Sequence, residues 1–478
     1  MKNNKSMSLF YLIMVSSALV ISVRNLPTIA ASQFQMIFFG LVTTVVFLIP
    51  SALVSSELAT GWPHMGGIAV WTKEAFGKKW GLVASWLQWT YAIISVISMV
   101  YFVGASLAYI FNKDLAENKI YMAIIELVLI WVFTFINLKG LKISKIVSTI
   151  GYLAGVLFPA ILIIILCAIY IIKGNPIHLD LSLTKKNIFP DFKNISTLVL
   201  WIGFIRAVAG IEVSAAHANE VEKPKKNYPI ALFVVVALAV LINIIGSMSV
   251  AIVIPLKDLN LSSGVMEAFQ NIFEKFNLTI LIPCIALLVA AGQTGGFSTW
   301  LLGPVKGIYV IAKSGELPPF FQKVNKHDVP VNLMIIQAIV ISILGTFLLL
   351  FTNSIDVAFW ISVALSMLIY VTMYILMYLS AIYLRYKKPD VKRSFKIPFK
   401  NIGMWIVCVI GIIAMLASFV IAFFPPAEFP PEHKTLYFSI LIIGTIVIFI
   451  SPFIINAFKK PHWISKKSKK LNDENDLQ

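Results

Sequence analysis

Two arginines and a glutamate stand within stretches that are otherwise apolar. Arg206 and Glu212 fall in STLVLWIGFIRAVAGIEVSAAHANEVEKPKKNYP (196–229) with Gly210 between them, and Arg24 falls in SSALVISVRNLPTIAAS beside Asn25 and Pro27. A charge at membrane depth costs at least a few kcal/mol, so such residues face a cavity or a partner. Proline removes a backbone donor and disfavours a continuous helix, and glycine weakens one. Interrupted helices free N–H groups that attract a carboxylate and carbonyls that suit an ammonium group. An amino acid carries both, and a guanidinium can hold a carboxylate through two parallel hydrogen bonds.

The elements that must position these groups are membrane helices. Of the 478 residues, 59% are hydrophobic and only 13% charged, too apolar a balance for a soluble chain of this size. Long Leu-, Ile-, Phe- and Ala-rich runs, each ending in a charged or Pro/Gly-rich break, predict an all-α membrane protein with about twelve transmembrane helices. A β-barrel would need short alternating segments instead. The spans are expected near 8–31, 35–58, 80–111, 118–138, 143–173, 196–220, 228–254, 277–312, 331–352, 356–386, 402–424 and 435–458. The first run could pass for a signal peptide cleaved in TIA-ASQ, but Arg24 and Pro27 interrupt its apolar region.

With a cytoplasmic N-terminus, roughly 28 of the 39 Lys and Arg residues fall on cytoplasmic segments and roughly 9 on the other side, which places both termini inside. The net charge of +17 follows from that bias, so nucleic acid is not an expected partner. Anionic lipid headgroups at the cytoplasmic face are, at about 1 kcal/mol per lysine near the surface. Cys167, Cys284 and Cys408 lie within apolar spans without metal-type spacing and read as small packing residues. No nucleotide, nucleophile-elbow or zinc pattern occurs, so neither a cofactor, a metal nor an enzymatic activity is expected.

The interruptions at Pro27 and Gly210 lie five helices apart. Broken helices in equivalent positions of two halves point to a five-plus-five inverted repeat with substrate bound at the midplane. Both helices are expected to unwind, near 23–28 and 208–212, and to face each other.

Three ordered segments, SELATGWPHMGGIAVWTKEAFGKKWG (56–81), GIEVSAAHANEVEKPKKNYPIAL (210–232) and GPVKGIYVIAKSGELPPFFQKVNKHDVPVNL (303–333), resemble the amino acid–polyamine–organocation superfamily. Within it the chain is most similar to the bacterial glutamate/γ-aminobutyrate antiporters, over roughly residues 8–458. The resemblance implies a ten-helix inverted-repeat transport core (8–386), a basic cytoplasmic loop (387–401), two further helices (402–458) and short cytoplasmic ends (1–7 and 459–478) in a bacterial cell membrane. It also implies exchange or uptake of amino acids by alternating access. Arg24, Asn25, Pro27, Thr28, Arg206, Gly210, Tyr370 and Tyr374 are the expected substrate-binding residues, with Glu212 and His217 as gating or proton-sensitive groups; Glu212, Tyr370, Tyr374 and the Pro27–Thr28 turn match the antiporters by position, whereas Arg24 and Arg206 are gained relative to them. The antiporters' tyrosine and glutamate before the Pro27–Thr28 turn are absent, the acidic residue of the eighth helix corresponds to Gly296, and the long C-terminal plug has no counterpart.

These departures make the local field more positive and favour glutamate or another carboxylate-bearing amino acid over a polyamine. An exchanged amino acid or a coupled proton would drive the cycle. The alternatives are a proton-coupled permease for another amino acid and a transporter-like sensor or scaffold. At residue level, the alternatives are an Arg206–Glu212 structural pair, simple packing for Tyr370 and Tyr374, and a helix-end network for His217, Asn219 and Glu220. Glu57 is expected to end the second span at the cytoplasmic interface.

Overall fold

The computed structural model describes residues 8–63, 66–140, 149–213, 221–352, 354–426 and 429–464. Among the described residues twelve helices are long and apolar enough to cross a membrane, and there is no β-strand, only an isolated bridge between Val324 and Pro330. They are α1 (Leu9–Ala30), α2 (Gln33–Gly61), α3 (Lys78–Phe111), α4 (Lys119–Leu138), α5 (Thr149–Ile172) and α6 (Ile195–Val213). The second set is α7 (Lys226–Val253), α8 (Thr279–Glu316), α9 (Val331–Phe351), α10 (Ile355–Lys387), α11 (Lys400–Ala422) and α12 (Pro431–Ala457). Each span agrees with the sequence expectation to within a few residues wherever both ends are described.

Burial sorts the helices into centre and periphery. In their most apolar windows α3 and α10 are 83% buried but α12 only 17%, so α3 and α10 form the heart of the bundle and α12 presents its apolar side to lipid. The small polar residues of α3 fit that position. Thr90 and Ser106 turn their hydroxyls back onto the carbonyls of Trp86 and Phe102 at 2.9 and 2.8 Å, which satisfies them within the helix. α3 packs most extensively on α8 and α10.

Both expected breaks are present, with one displaced. In α1 a first helical half, Leu9–Val20, ends at the extended residues Ile21 and Ser22, after which a tight turn over Val23–Asn25 leads into a second half, Leu26–Ala30. The unwinding therefore lies at 21–22 rather than 23–28. Pro27 sits in the first turn of the second half, where its missing N–H would have had no intrahelical partner. In α6 the helix stops at Val208, Ala209 is extended, and Gly210 has φ +117°. The two breaks face each other, since the Asn25 amide donates to the Ala207 carbonyl at 3.4 Å.

α5 and α8 meet closely enough that a Cβ on Gly155 would lie 2.0 Å from the Leu288 oxygen and 2.3 Å from the Gly292 nitrogen. Such small-residue contacts let membrane helices approach backbone to backbone. Of the three cysteines, Cys167 and Cys408 are buried as expected, but Cys284 is exposed. Its packing role is corrected accordingly: it lies on the outward side of α8.

Glu57 lies one turn inside the end of α2, fully buried. Its carboxylate accepts from Arg385 Nη1 at 2.6 Å on both oxygens and from the Ile397 N–H at 2.8 Å, and Arg393 Nε stands 3.6 Å away. Removing one partner of a buried pair costs about 3–5 kcal/mol, because the other charge stays behind unpaired. Glu57→Ala should therefore lower stability by about that amount, visible as a fall in the melting temperature of detergent-purified protein. An unchanged melting temperature would show that the pair carries little weight.

Candidate functional site

The broken segments border a small cavity of about 30 Å³, whose walls include Ser22, Arg24 and Asn25 of α1, Arg206 and Ala209 of α6, Tyr91 of α3, and Gln293, Gly296 and Trp300 of α8. α1 is held open at Ser22, whose hydroxyl accepts from the Arg24 N–H at 3.3 Å and donates to Gln293 Oε1 at 2.6 Å. The cap satisfies one donor freed by the break and ties it to α8.

α6 is held differently. Only glycine suits position 210, because a Cβ there would meet Trp300 Cζ2 at 2.9 Å and the Leu19 oxygen at 3.2 Å, and positive φ disfavours other residues. The Gly210 N–H donates to the Tyr374 hydroxyl at 3.2 Å. That hydroxyl, with that of Tyr370, donates in turn to the two oxygens of Glu212. Tyr370 and Tyr374 are thus more than packing, because α10 supplies both donors to a fully buried carboxylate.

Arg24 and Arg206 converge on one serine. Arg24 Nη1 donates to Ser98 Oγ at 3.2 Å and to the Ser95 carbonyl at 3.4 Å, and Arg206 Nη2 donates to Ser98 Oγ at 2.8 Å. Ser98 gives its own proton to the Ser95 carbonyl at 2.8 Å, leaving both lone pairs for the guanidiniums. Arg206 also reaches Asn25 Oδ1 at 3.5 Å and lies 5.6 Å from the Phe359 ring centroid, within range of a cation–π contact. Both arginines are at most 5% exposed, and the Nε of each is buried without an acceptor.

Of the sequence-expected residues, Arg24, Asn25 and Arg206 line the cavity. Gly210, Glu212, Tyr370 and Tyr374 form an adjoining cluster behind Tyr91, which stacks on Tyr370 with ring centroids 3.8 Å apart. Pro27 and Thr28 are not in the wall. Pro27 lies against Gly264 and Thr28 against Gly203, one helical turn beyond the break, so they are corrected from lining to supporting residues. The Arg206–Glu212 pair does not form, because the tyrosine hydroxyls take the carboxylate and Ser98 and Asn25 take the guanidinium. His217, with Asn219 and Glu220, lies outside the described residues.

Sequence reasoning missed Ser22, Tyr91, Ser98, Gln293 and Trp300. One signal was available for Ser98: Ser95 and Ser98 put two polar groups one turn apart in a span buried along its length. Gly296 does line the cavity, and a Cβ there would meet only the Ala18 oxygen, at 4.0 Å. The position where the resemblance implies an acid is open space.

Four similarities bear on this arrangement. The amino acid permease family matches residues 7–449. An uncharacterized transporter of Legionella pneumophila is 37% identical, covering 96% of this chain and 98% of its own length, and a glutamate/gamma-aminobutyrate antiporter of Lactococcus lactis subsp. lactis is 36% identical, covering 95% and 90%. Among solved structures, MhsT in complex with L-phenylalanine superposes with a TM-score of 0.63 at 16% identity, covering 86% of this chain and 98% of that one. That likeness is one of fold.

The shared serine makes a prediction. Ser98→Ala strips an acceptor from two buried cations, and hydrogen bonds to charged groups are worth about 1.5–3 kcal/mol each, so the variant should be destabilised while Ser98→Thr, keeping the hydroxyl, is not. In a double-mutant cycle, Ser98→Ala and Arg206→Gln should couple by about 0.5 kcal/mol or more. Strict additivity in melting experiments would refute the shared contact.

Proposed function

The chain belongs to the amino acid permease family, and on that premise we propose that it exchanges amino acids by alternating access, with glutamate or a close carboxylate-bearing relative as substrate. It is a multi-pass membrane protein of a transporter family. The observation that supports the substrate is the cavity's charge: two guanidiniums line it, and among the described residues no carboxylate does. A cationic substrate would be repelled there, whereas an α-carboxylate or a side-chain carboxylate finds planar donors.

In this reading the carbonyls that end the helical halves at Val20 and Val208 take the substrate ammonium. The two arginines that line the cavity take the carboxylates. Asn25 links Arg206 to the second half of α1, and Tyr370, Tyr374 and Glu212 form the gate beside Gly210. Pro27 and Thr28 shape the start of that half. Residues 8–386 act as the transport core, 387–401 and 459–478 as basic cytoplasmic segments facing anionic headgroups, and both termini are cytoplasmic in a bacterial cell membrane.

A second reading, proton-coupled uptake of another amino acid, is favoured by Glu212, a buried carboxylate beside the cavity. Uptake of labelled glutamate into proteoliposomes separates the two. Acceleration by preloaded amino acid supports exchange, and acceleration by an inward proton gradient alone supports uptake.

Arg206 tests the substrate. Arg206→Lys keeps the charge but loses the planar two-point geometry, so affinity should fall, and Arg206→Ala should lower it further. Loss of a charged contact costs about 1.5–3 kcal/mol, roughly tenfold to hundredfold in affinity. Binding of glutamate and glutamine to folded Arg206→Ala protein decides the mode. A selective loss for glutamate indicates side-chain carboxylate recognition, an equal loss indicates the α-carboxylate, and unchanged affinity for both removes Arg206 from the site.

A further inference from the structure

Among the described residues the arginine pair has no countercharge. Arg24 and Arg206 share the hydroxyl of Ser98, each keeps a buried Nε without an acceptor, and among the described residues neither forms an ion pair. Glu212, the carboxylate nearest in sequence to Arg206, is occupied by the hydroxyls of Tyr370 and Tyr374. On α8 the facing position is Gly296, which supplies no side chain at all. The remaining acceptors, the Ser95 carbonyl and the Asn25 amide oxygen, offer dipoles only.

Two like charges held on one hydroxyl in a largely apolar bundle repel each other, and isolated buried charges are costly unless paired. An exchanger must nevertheless pass between loads with its site empty of amino acid. A carboxylate-bearing substrate would neutralise the pair while bound, so the exposed problem is the interval without it. Guanidinium is weakly hydrated and presents several N–H donors in one plane, which suits a small, singly charged anion. The cavity beside the pair, about 30 Å³, has room for one such ion, since about 10–15 Å³ already holds a water.

We propose that Arg24 and Arg206 form a binding site for a small inorganic anion, chloride being the probe of choice, which occupies the pair when the amino acid is absent and is displaced by a substrate carboxylate. The anion site itself stands on the arginine geometry, and only the displacement rests on the substrate reading above.

The experiment uses purified full-length protein in sodium gluconate, with chloride replacing gluconate at constant ionic strength. Chloride should raise the melting temperature in a saturable way and weaken glutamate binding competitively. For a chloride dissociation constant of about 50 mM, about 150 mM chloride would raise the apparent glutamate dissociation constant about fourfold, by the factor 1 + [L]/Kd. Arg24→Gln and Arg206→Gln should each abolish the chloride response, whereas Arg206→Lys, keeping the charge, should retain part of it. Bromide-soaked crystals of the unaltered protein should show an anomalous peak between the two guanidiniums, a readout that needs no variant to fold.

Identical melting and glutamate affinity in chloride and gluconate would overturn the anion site while leaving glutamate exchange intact. A chloride response undiminished in both glutamine variants would also overturn it, by placing the ion elsewhere. Saturable chloride stabilisation and an anomalous peak without any glutamate binding would uphold the site and sink the substrate reading instead.

Discussion

Backbone groups freed inside a membrane have no water to turn to, and the bundle is organised to cover those at Ile21–Ser22 and Ala209–Gly210. Each break is covered by a different neighbour. Ser22 caps the turn that follows it and is anchored by Gln293 of α8, while the Gly210 N–H is taken by Tyr374 of α10. Irregular backbone at this depth is tolerated only where protein or a cavity surrounds it. The most buried helices, α3 and α10, accordingly stand against the breaks, and the lipid-facing ones stand away from them.

The same arrangement divides the charges. On one side of Tyr91 lie the two guanidiniums, and on the other, beyond the stacked ring of Tyr370, lies Glu212 with its two phenolic donors. Were Arg206 to reach Glu212, the pair would neutralise itself and the cavity would keep only the charge of Arg24. Keeping them apart leaves a cavity wall with positive charge, which can discriminate among substrates, and a carboxylate whose hydrogen bonds depend on where α10 stands. Electrostatic selectivity of this sort comes from groups held in place before the ligand arrives.

What the sequence made legible follows from how each feature is encoded. Span positions come from long apolar runs, a signal averaged over some twenty residues, and they agree closely. The breaks at Pro27 and Gly210 were visible as residue types, but the unwound point in α1 lies before the proline because proline is well suited to the first turn of the helix that follows. Tyr91 and Gln293 were hidden because they sit on continuous helices, and nothing local to them says which face meets the cavity. Cys284 shows the converse, since apolar context alone does not distinguish a side chain facing protein from one facing lipid. The Arg206–Glu212 alternative was undecidable from spacing because the glycine between them redirects the chain.

One helix links the cavity region to one end of the bundle. α10 carries Tyr370 and Tyr374, which hold Glu212 of α6, and about three turns further on, roughly 16 Å along the axis, it carries Arg385, which clasps Glu57 of α2. Glu57 also accepts from the Ile397 N–H, and Arg393 lies 5.1 Å from the Trp62 ring centroid, so the segment after α10 is fastened to the same place. A rotation or tilt of α10 large enough to free Glu212 would also move Arg385 and strip donors from a second buried carboxylate. Losing both sets together is far more costly than keeping both. The two contacts therefore hold α10 in the position seen here, and any displacement of it that breaks one set must also disturb the other.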